Sequence, residues 1–185
     1  MNIIPAYIVT FIASFCILVI EIVAGRILAP FVGVSLYTWT SIIGVVLAGI
    51  SMGAYMGGKL ADKFPEQKTL GRLLFISGIA TLCTSPITNL VAGFPFPTSL
   101  MLRILIVTTI TFFIPSCILG MISPVVVKLA IRNVETAGNV VGKIYAFSTL
   151  GSILGTFAAG FFLISWMGTR NIILVMGVIL ILTAV

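Results

Sequence analysis

Residues 57–68 read GGKLADKFPEQK and set Lys59, Asp62, Lys63, Glu66 and Lys68 between two long apolar runs. A short charged connection of this kind, flanked by stretches with almost no charge, is the pattern of a membrane protein turning at the bilayer surface. The rest of the composition agrees. Apolar residues make up 60% of the 185-residue chain and charged residues 8%, where a soluble domain carries roughly 25% charged residues. Mean hydropathy is +1.30. A chain of this size cannot hide so much apolar surface from water, so lipid must be its solvent over most of its length. The net charge of +6 suits basic loops facing anionic head groups, and no nucleic acid need be invoked.

A span needs about 20 apolar residues, and outward from 57–68 the chain divides into six. The expected spans cover about 5–24, 37–58, 71–91, 100–127, 142–166 and 171–185, forming one six-helix domain over 1–185. Gly25-Arg26 marks the end of the first and Ala29-Pro30 closes it, since proline removes a backbone donor. Tyr37 and Trp39 suit an interfacial belt. A Gly-Pro-rich turn over 93–97 separates the third span from the fourth. Pro115 and Pro124 predict a kink in the fourth span, with a loosened last turn. Met1 to Pro5 lacks the basic segment of a cleavable signal. The sixth run is still apolar at Val185, which leaves the expectation that something follows in the full gene product, a cytoplasmic domain if the resemblance given below holds, unless the chain is a stand-alone relative.

Basic residues decide the orientation. Lys59, Lys63, Lys68, Arg72, Lys128, Arg132 and Lys143 fall on one side of the six-span order, and Arg26, Arg103 and Arg170 on the other. The positive-inside rule puts the richer side, and both termini, in the cytoplasm, as in an inner (plasma) membrane. Gly49, Gly53 and Gly57 stand four apart in the second span, and Gly151 and Gly155, followed by Ala159, repeat the spacing in the fifth. Such stripes let helix backbones approach closely in lipid. Their recurrence in the middle member of each three-span half points to an internal repeat, inverted because each half has an odd number of spans.

The chemistry available is narrow. Histidine is absent, which removes the commonest general base and metal ligand. Cys16, Cys83 and Cys117 have no metal or redox spacing and read as small apolar side chains. No catalytic triad, carboxylate pair, metal cluster or phosphate loop occurs, so no cofactor is expected and an intramembrane enzyme has little to work with. Glu21 is the single acid inside an apolar run, where a charge costs about 2.5–3.5 kcal/mol. Thr10, Ser14 and Glu21 share a helical face. Glu21 either contributes to a cation or proton site or locks the first span to Arg26, Arg103 or a hydroxyl of the fifth. Pairing with Arg26 would require the helix to unwind at Gly25.

Asp62, at the cytoplasmic end of the second span, either caps a neighbouring helix or pairs with Lys143, as a clamp or conformational latch. Lys128, Arg132 and Lys143 read as topology determinants at the head groups. Tyr145, Ser148 and Thr149 in the fifth span, with Thr108, Thr109, Thr111 and Ser116 in the fourth, either line a polar cavity between the halves or bond their own helix carbonyls.

Several of these residues fall in recognisable motifs: EIVAGRILAP at 21–30, then Gly33, Ser35 and Trp39, and GGKLAD at 57–62. In the second half they are LGM at 119–121 with Pro124, GKIY at 142–145, and STLGSILGT at 148–156. Together they resemble the N-terminal membrane domain of the spermidine synthase-like (polyamine aminopropyltransferase-related) membrane proteins. GKLADK at 58–63 also resembles the loop motif of major facilitator transporters, and Gly58 belongs to it. The resemblance implies a half-transporter-like module, able to dimerise, that binds or moves a small cationic molecule such as a polyamine. Glu21, Arg26, Ser14, Tyr145 and Ser148 would then form its contacts, and Asp62, Lys143, Gly58 and Pro124 its gate. It equally allows a non-transporting anchor that positions an aminopropyltransferase-like domain or a partner complex at the membrane. No residue here matches that domain's cofactor loop or polyamine-binding acids, so aminopropyl transfer is assigned to none of them.

Overall fold

The computed structural model describes residues 3–94, 99–131 and 133–184, and these are all helix and short connections. The helices are α1 (Ile3–Val32), α2 (Leu36–Lys63), α3 (Gln67–Ala92), α4 (Leu100–Gly120), α5 (Ile122–Ala130), α6 (Ala137–Phe157), α7 (Ile164–Trp166) and α8 (Thr169–Thr183). Five helical segments are long and apolar enough to cross a membrane: α1, α2, α3, α4 with α5, and α6 with α7. The sixth, α8, is apolar but only 15 residues long. The chain is therefore an all-α, multi-pass membrane protein.

Helix boundaries depart from the expected ones where a breaker is overruled. α1 runs on through Gly25, Arg26 and Pro30 to Val32. Pro30 lies in the last turn, where its missing N–H costs a single bond, to the Arg26 carbonyl. The stop is Gly33 instead. With φ at +75° it takes the left-handed conformation that glycine adopts without strain, and its amide returns to the Ala29 carbonyl at 3.0 Å. Ser35 then caps α2, its Oγ accepting from the Thr38 amide at 3.2 Å. The charged connection is shorter than expected, because Lys59, Asp62 and Lys63 lie in α2 and Lys68 in α3, leaving residues 64–66 between them. Pro65 accounts for the break. The expected turn over 93–97 lies partly, and Arg132 and Val185 wholly, outside the described residues.

The fourth span is interrupted at one point. Pro115 stays inside α4, and the interruption is Met121 alone, whose amide is shared between the Cys117 and Ile118 carbonyls at 3.3 and 3.2 Å. Pro124 sits in the first turn of α5, so the Gly120 carbonyl has no i→i+4 donor. The fifth span begins early, at Ala137, and passes through a π-helical turn over Ala158–Leu163 before α7.

Three pairings dominate the packing: α1 on α6, α2 on α4, and α3 on α8. Lipid gives helices no hydrophobic drive to associate, so close approach has to supply the contact energy. The glycines provide it. A Cβ on Gly49 would stand 2.8 Å from the Ser116 Cβ, one on Gly57 2.6 Å from the Met121 Cα, and one on Gly53 would collide with the Cys117 carbonyl. In the α1–α6 pair, Gly155 would meet the Phe15 carbonyl at 2.5 Å and Gly151 that of Phe11. Gly78 and Gly177 face each other across α3 and α8, a Cβ on Gly78 falling 2.7 Å from the Gly177 carbonyl. Trp39, near the start of α2, also has a packing role. It packs its ring on Gly25 of α1, within 3.0 Å of where a Cβ would be.

Candidate functional site

Where α1, α2, the α4–α5 break and α6 converge, they leave a cavity of about 330 Å³. It lies near the middle of α1, α2 and the fifth span, between Ser14, Ala54 and Ser148. Glycine seams hold the α2–α4 and α1–α6 pairs tightly, so residual space collects between the pairs. The break at Met121 adds to it by turning Ile122, Ser123 and Pro124 into the wall.

Six hydroxyl-bearing residues line it: Thr10, Ser14, Ser123, Tyr145, Ser148 and Ser152. Ser14 and Ser148 share a hydrogen bond of 2.6 Å across the α1–α6 seam. Thr10 donates to its own helix, to the Ala6 carbonyl at 2.7 Å. Ser123 Oγ is buried and has no hydrogen-bond partner among the described residues. Beside the cavity, Tyr7 of α1 stacks on Phe147 of α6 with centroids 4.6 Å apart. Among the described residues no charged side chain lines the space, so its chemistry is hydrogen bonding from neutral groups with apolar walls.

The structure brings Ser14, Tyr145, Ser148 and Pro124 together at this cavity, and leaves Glu21 and Arg26 outside it. α1 stays helical through Gly25, so the unwinding that a Glu21–Arg26 pair would need does not occur. Five residues on one helix point the two side chains well apart. Arg103 is engaged elsewhere, donating to the Ala92 carbonyl at 3.0 Å, and Ser148 is taken by Ser14. Glu21 is part-buried on α1 and forms no ion pair with any described residue.

Asp62 pairs, but not with Lys143. Its partner is Lys128 of α5, at 2.7 Å. Both helices end at the same surface of the bundle, which brings the two side chains into reach, while Lys143 stands exposed a turn and a half into α6. A Cβ on Gly58 would meet nothing within 4 Å, so tight packing is not what places glycine there. Of the hydroxyls in the fourth span, Thr108 and Thr109 bond their own helix, to the carbonyls of Ile104 and Leu105. Ser116 is buried against Gly49, and Thr149 likewise returns to the Tyr145 carbonyl. None of these lines the cavity.

Sequence reasoning missed Ser123 and Ser152. Ser123 carries a signal in hindsight, a hydroxyl directly before a helix-breaking proline. A second feature also escaped it: Ser77, Thr81, Thr84 and Thr88 form a buried hydroxyl stripe on α3 at helical spacing, each bonded to a carbonyl of its own helix. Among the described residues no group of three or more acidic, histidine or cysteine side chains could hold a metal ion. No family model, curated protein or solved structure matches the chain.

Proposed function

We propose that this chain is a membrane module that binds, or carries across the bilayer, a small polar molecule in the hydroxyl-lined cavity, with a polyamine-like cation as its class. The cavity carries the reading, because it lies near the middle of α1, α2 and the fifth span, between the α1–α6 and α2–α4 pairs. The pairing scheme supports two three-helix halves. Exchanging α1 with α4–α5, α2 with α6, and α3 with α8 turns the α2–α4 contact into the α6–α1 contact and returns α3–α8 to itself. Each glycine stripe follows its helix through the exchange, and Gly78 and Gly177 change places. A three-span repeat is inverted, and inverted-repeat carriers hold substrate near the midplane between the repeats.

The cation preference is assigned to Glu21, which lies outside the cavity lining but on the helix face that leads to it. It follows Ser14 and Leu18, both on the cavity wall, along one face of α1 at i+7 and i+3. The Asp62–Lys128 pair forms part of the gate at the opposite end. Lys59, Lys63, Lys68, Arg72, Lys128 and Lys143 fall at that end, which supports assigning it, with both termini, to the cytoplasmic side of an inner membrane.

The test is the melting temperature of the purified chain with spermidine or putrescine, paired with uptake into vesicles. Stabilisation and uptake should occur in the native chain and be lost in Glu21→Gln and Ser148→Val. No stabilisation by any polyamine, with uptake indifferent to Glu21→Gln, would sink the proposal.

One observation favours the anchoring alternative. The fifth span is the least buried, 17% of its membrane window against 33–56% for the other four, and it exposes Phe147, Leu150, Leu154, Phe161 and Phe162. That face suits a second copy of the chain, or a complex carrying an aminopropyltransferase-like domain. Cross-linked pairs through α6 in a chain indifferent to polyamines would favour this reading.

A further inference from the structure

The interruption between α4 and α5 leaves two polar groups close together on the wall of the hydroxyl-lined cavity. Pro124 has no N–H to give the Gly120 carbonyl, the acceptor one turn before it. Ser123 Oγ is buried, with no hydrogen-bond partner among the described residues. Thr84 and Thr108 show the usual course of a hydroxyl inside a span. Thr84 donates to the Thr81 carbonyl, three residues back, at 2.7 Å, and Thr108 to that of Ile104, four back, at 2.7 Å. The same reach from Ser123 covers Gly120 and Leu119, and neither bond is made. Gly120, Ser123 and Pro124 all line the cavity, with Ile17, Leu18 and Ile50 as apolar wall. Polar groups left without partners inside a membrane bundle cost free energy that a ligand can recover.

We infer that the Gly120 carbonyl and Ser123 Oγ hold a primary ammonium group of the ligand, its methylene chain lying along the apolar wall; this rests on the reading of the cavity as a polyamine site. The class follows from the two oxygens. A carbonyl only accepts, so its partner must bring a donor, and a primary ammonium brings several on one compact charge. The carbonyls at a helix C-terminus also carry the negative pole of its dipole, and α4, 21 residues long, ends on the cavity wall at Gly120. Carriers with broken helices hold cations at such ends. A quaternary ammonium has the charge but no donor for either oxygen. Glu21 thus favours positive charge from outside the lining, and Gly120 with Ser123 selects the primary amine among cations.

The test uses the whole chain in neutral detergent, its melting temperature read against putrescine, the same diamine fully N-methylated, and sodium chloride, at matched ionic strength. Putrescine should stabilise the native chain, and the methylated diamine and sodium should not. Ser123→Ala should bind putrescine about tenfold more weakly, the scale of a hydrogen bond to a charged group. Pro124→Ala returns a backbone donor to the Gly120 carbonyl and should weaken binding similarly. Thr109→Val, whose hydroxyl bonds the Leu105 carbonyl away from the cavity, should bind as the native chain does. Stabilisation undiminished in Ser123→Ala or in Pro124→Ala overturns this inference alone and leaves the polyamine reading standing. No stabilisation of the native chain by putrescine overturns both. Equal stabilisation by the methylated diamine would mark recognition by charge alone, and by sodium a metal-ion site, and either result overturns the inference.

Discussion

The α2–α4 seam and the α1–α6 seam use one device under different constraints. In the first, glycine stands on both sides. Gly49, Gly53 and Gly57 face α4, and Gly120 of α4 faces Ile50 so closely that a Cβ would lie 2.6 Å from its carbonyl. In the second, glycine stands on α6 alone, against the backbone of Phe11 and Phe15. The two-sided seam holds the helix that breaks, since Gly57 abuts Met121, the point of interruption. The one-sided seam runs along an unbroken α1 and carries the Ser14–Ser148 bond. Glycine on both faces thus clamps a weak point, while one face suffices where the partner helix is whole.

The largest effect should come from filling a seam. Gly53→Leu and Gly151→Leu each drive a side chain into a partner carbonyl, and should destabilise by about 3 kcal/mol or more, read from thermal unfolding in detergent. Gly44→Ala is the control, since its Cβ meets nothing, and should gain about 0.5 kcal/mol from helix propensity. Equal losses at Gly44 and Gly53 would show that close approach is not what holds α2 to α4.

A smaller effect should separate the seams. Ser14→Ala or Ser148→Ala strands one hydroxyl and should cost about 1 kcal/mol, with a coupling in the double variant of about 0.6 kcal/mol. Additive losses would mean that the bond contributes nothing to the α1–α6 seam beyond its glycines.

The smallest effect belongs to the pair that bridges α2 and α5 outside the seam. Asp62 and Lys128 side chains are 72% and 50% exposed, so Asp62→Asn should change stability by no more than about 0.5 kcal/mol, less in high salt. A larger, salt-insensitive loss would mean that α5 is tied to α2 by this pair rather than by Gly57 against Met121.

What the sequence made legible was whatever depends on spacing along one helix. Gly53 and Gly151 could be read as packing glycines from their period, and Pro124 announced an interruption in the fourth span. The partners of those residues could not be read, because they are set by which helices meet. Asp62 and Lys128 are 66 residues apart, and nothing local prefers Lys128 to Lys143. Breakers misled where tertiary contact outweighs them: Gly25-Arg26 and Ala29-Pro30 looked like an ending, yet Trp39 packs on Gly25 and the helix continues. The cavity was legible in Ser14, Tyr145 and Ser148. Its Ser123 wall follows the interruption at Met121, which no periodicity records.

The π-helical turn over Ala158–Leu163 bears on how lengths can vary in this part of the chain. Bonds of the i→i+5 kind hold one residue more than the α-helical turn they replace. Removing a single residue there would let the turn relax to α-helix, with Gly151 and Gly155 still facing α1 and Trp166 still at the far end. The same deletion two turns earlier would rotate the glycine stripe off its partner. Deletion of one residue should therefore be tolerated in this turn and not in the stretch of α6 that carries the glycine stripe.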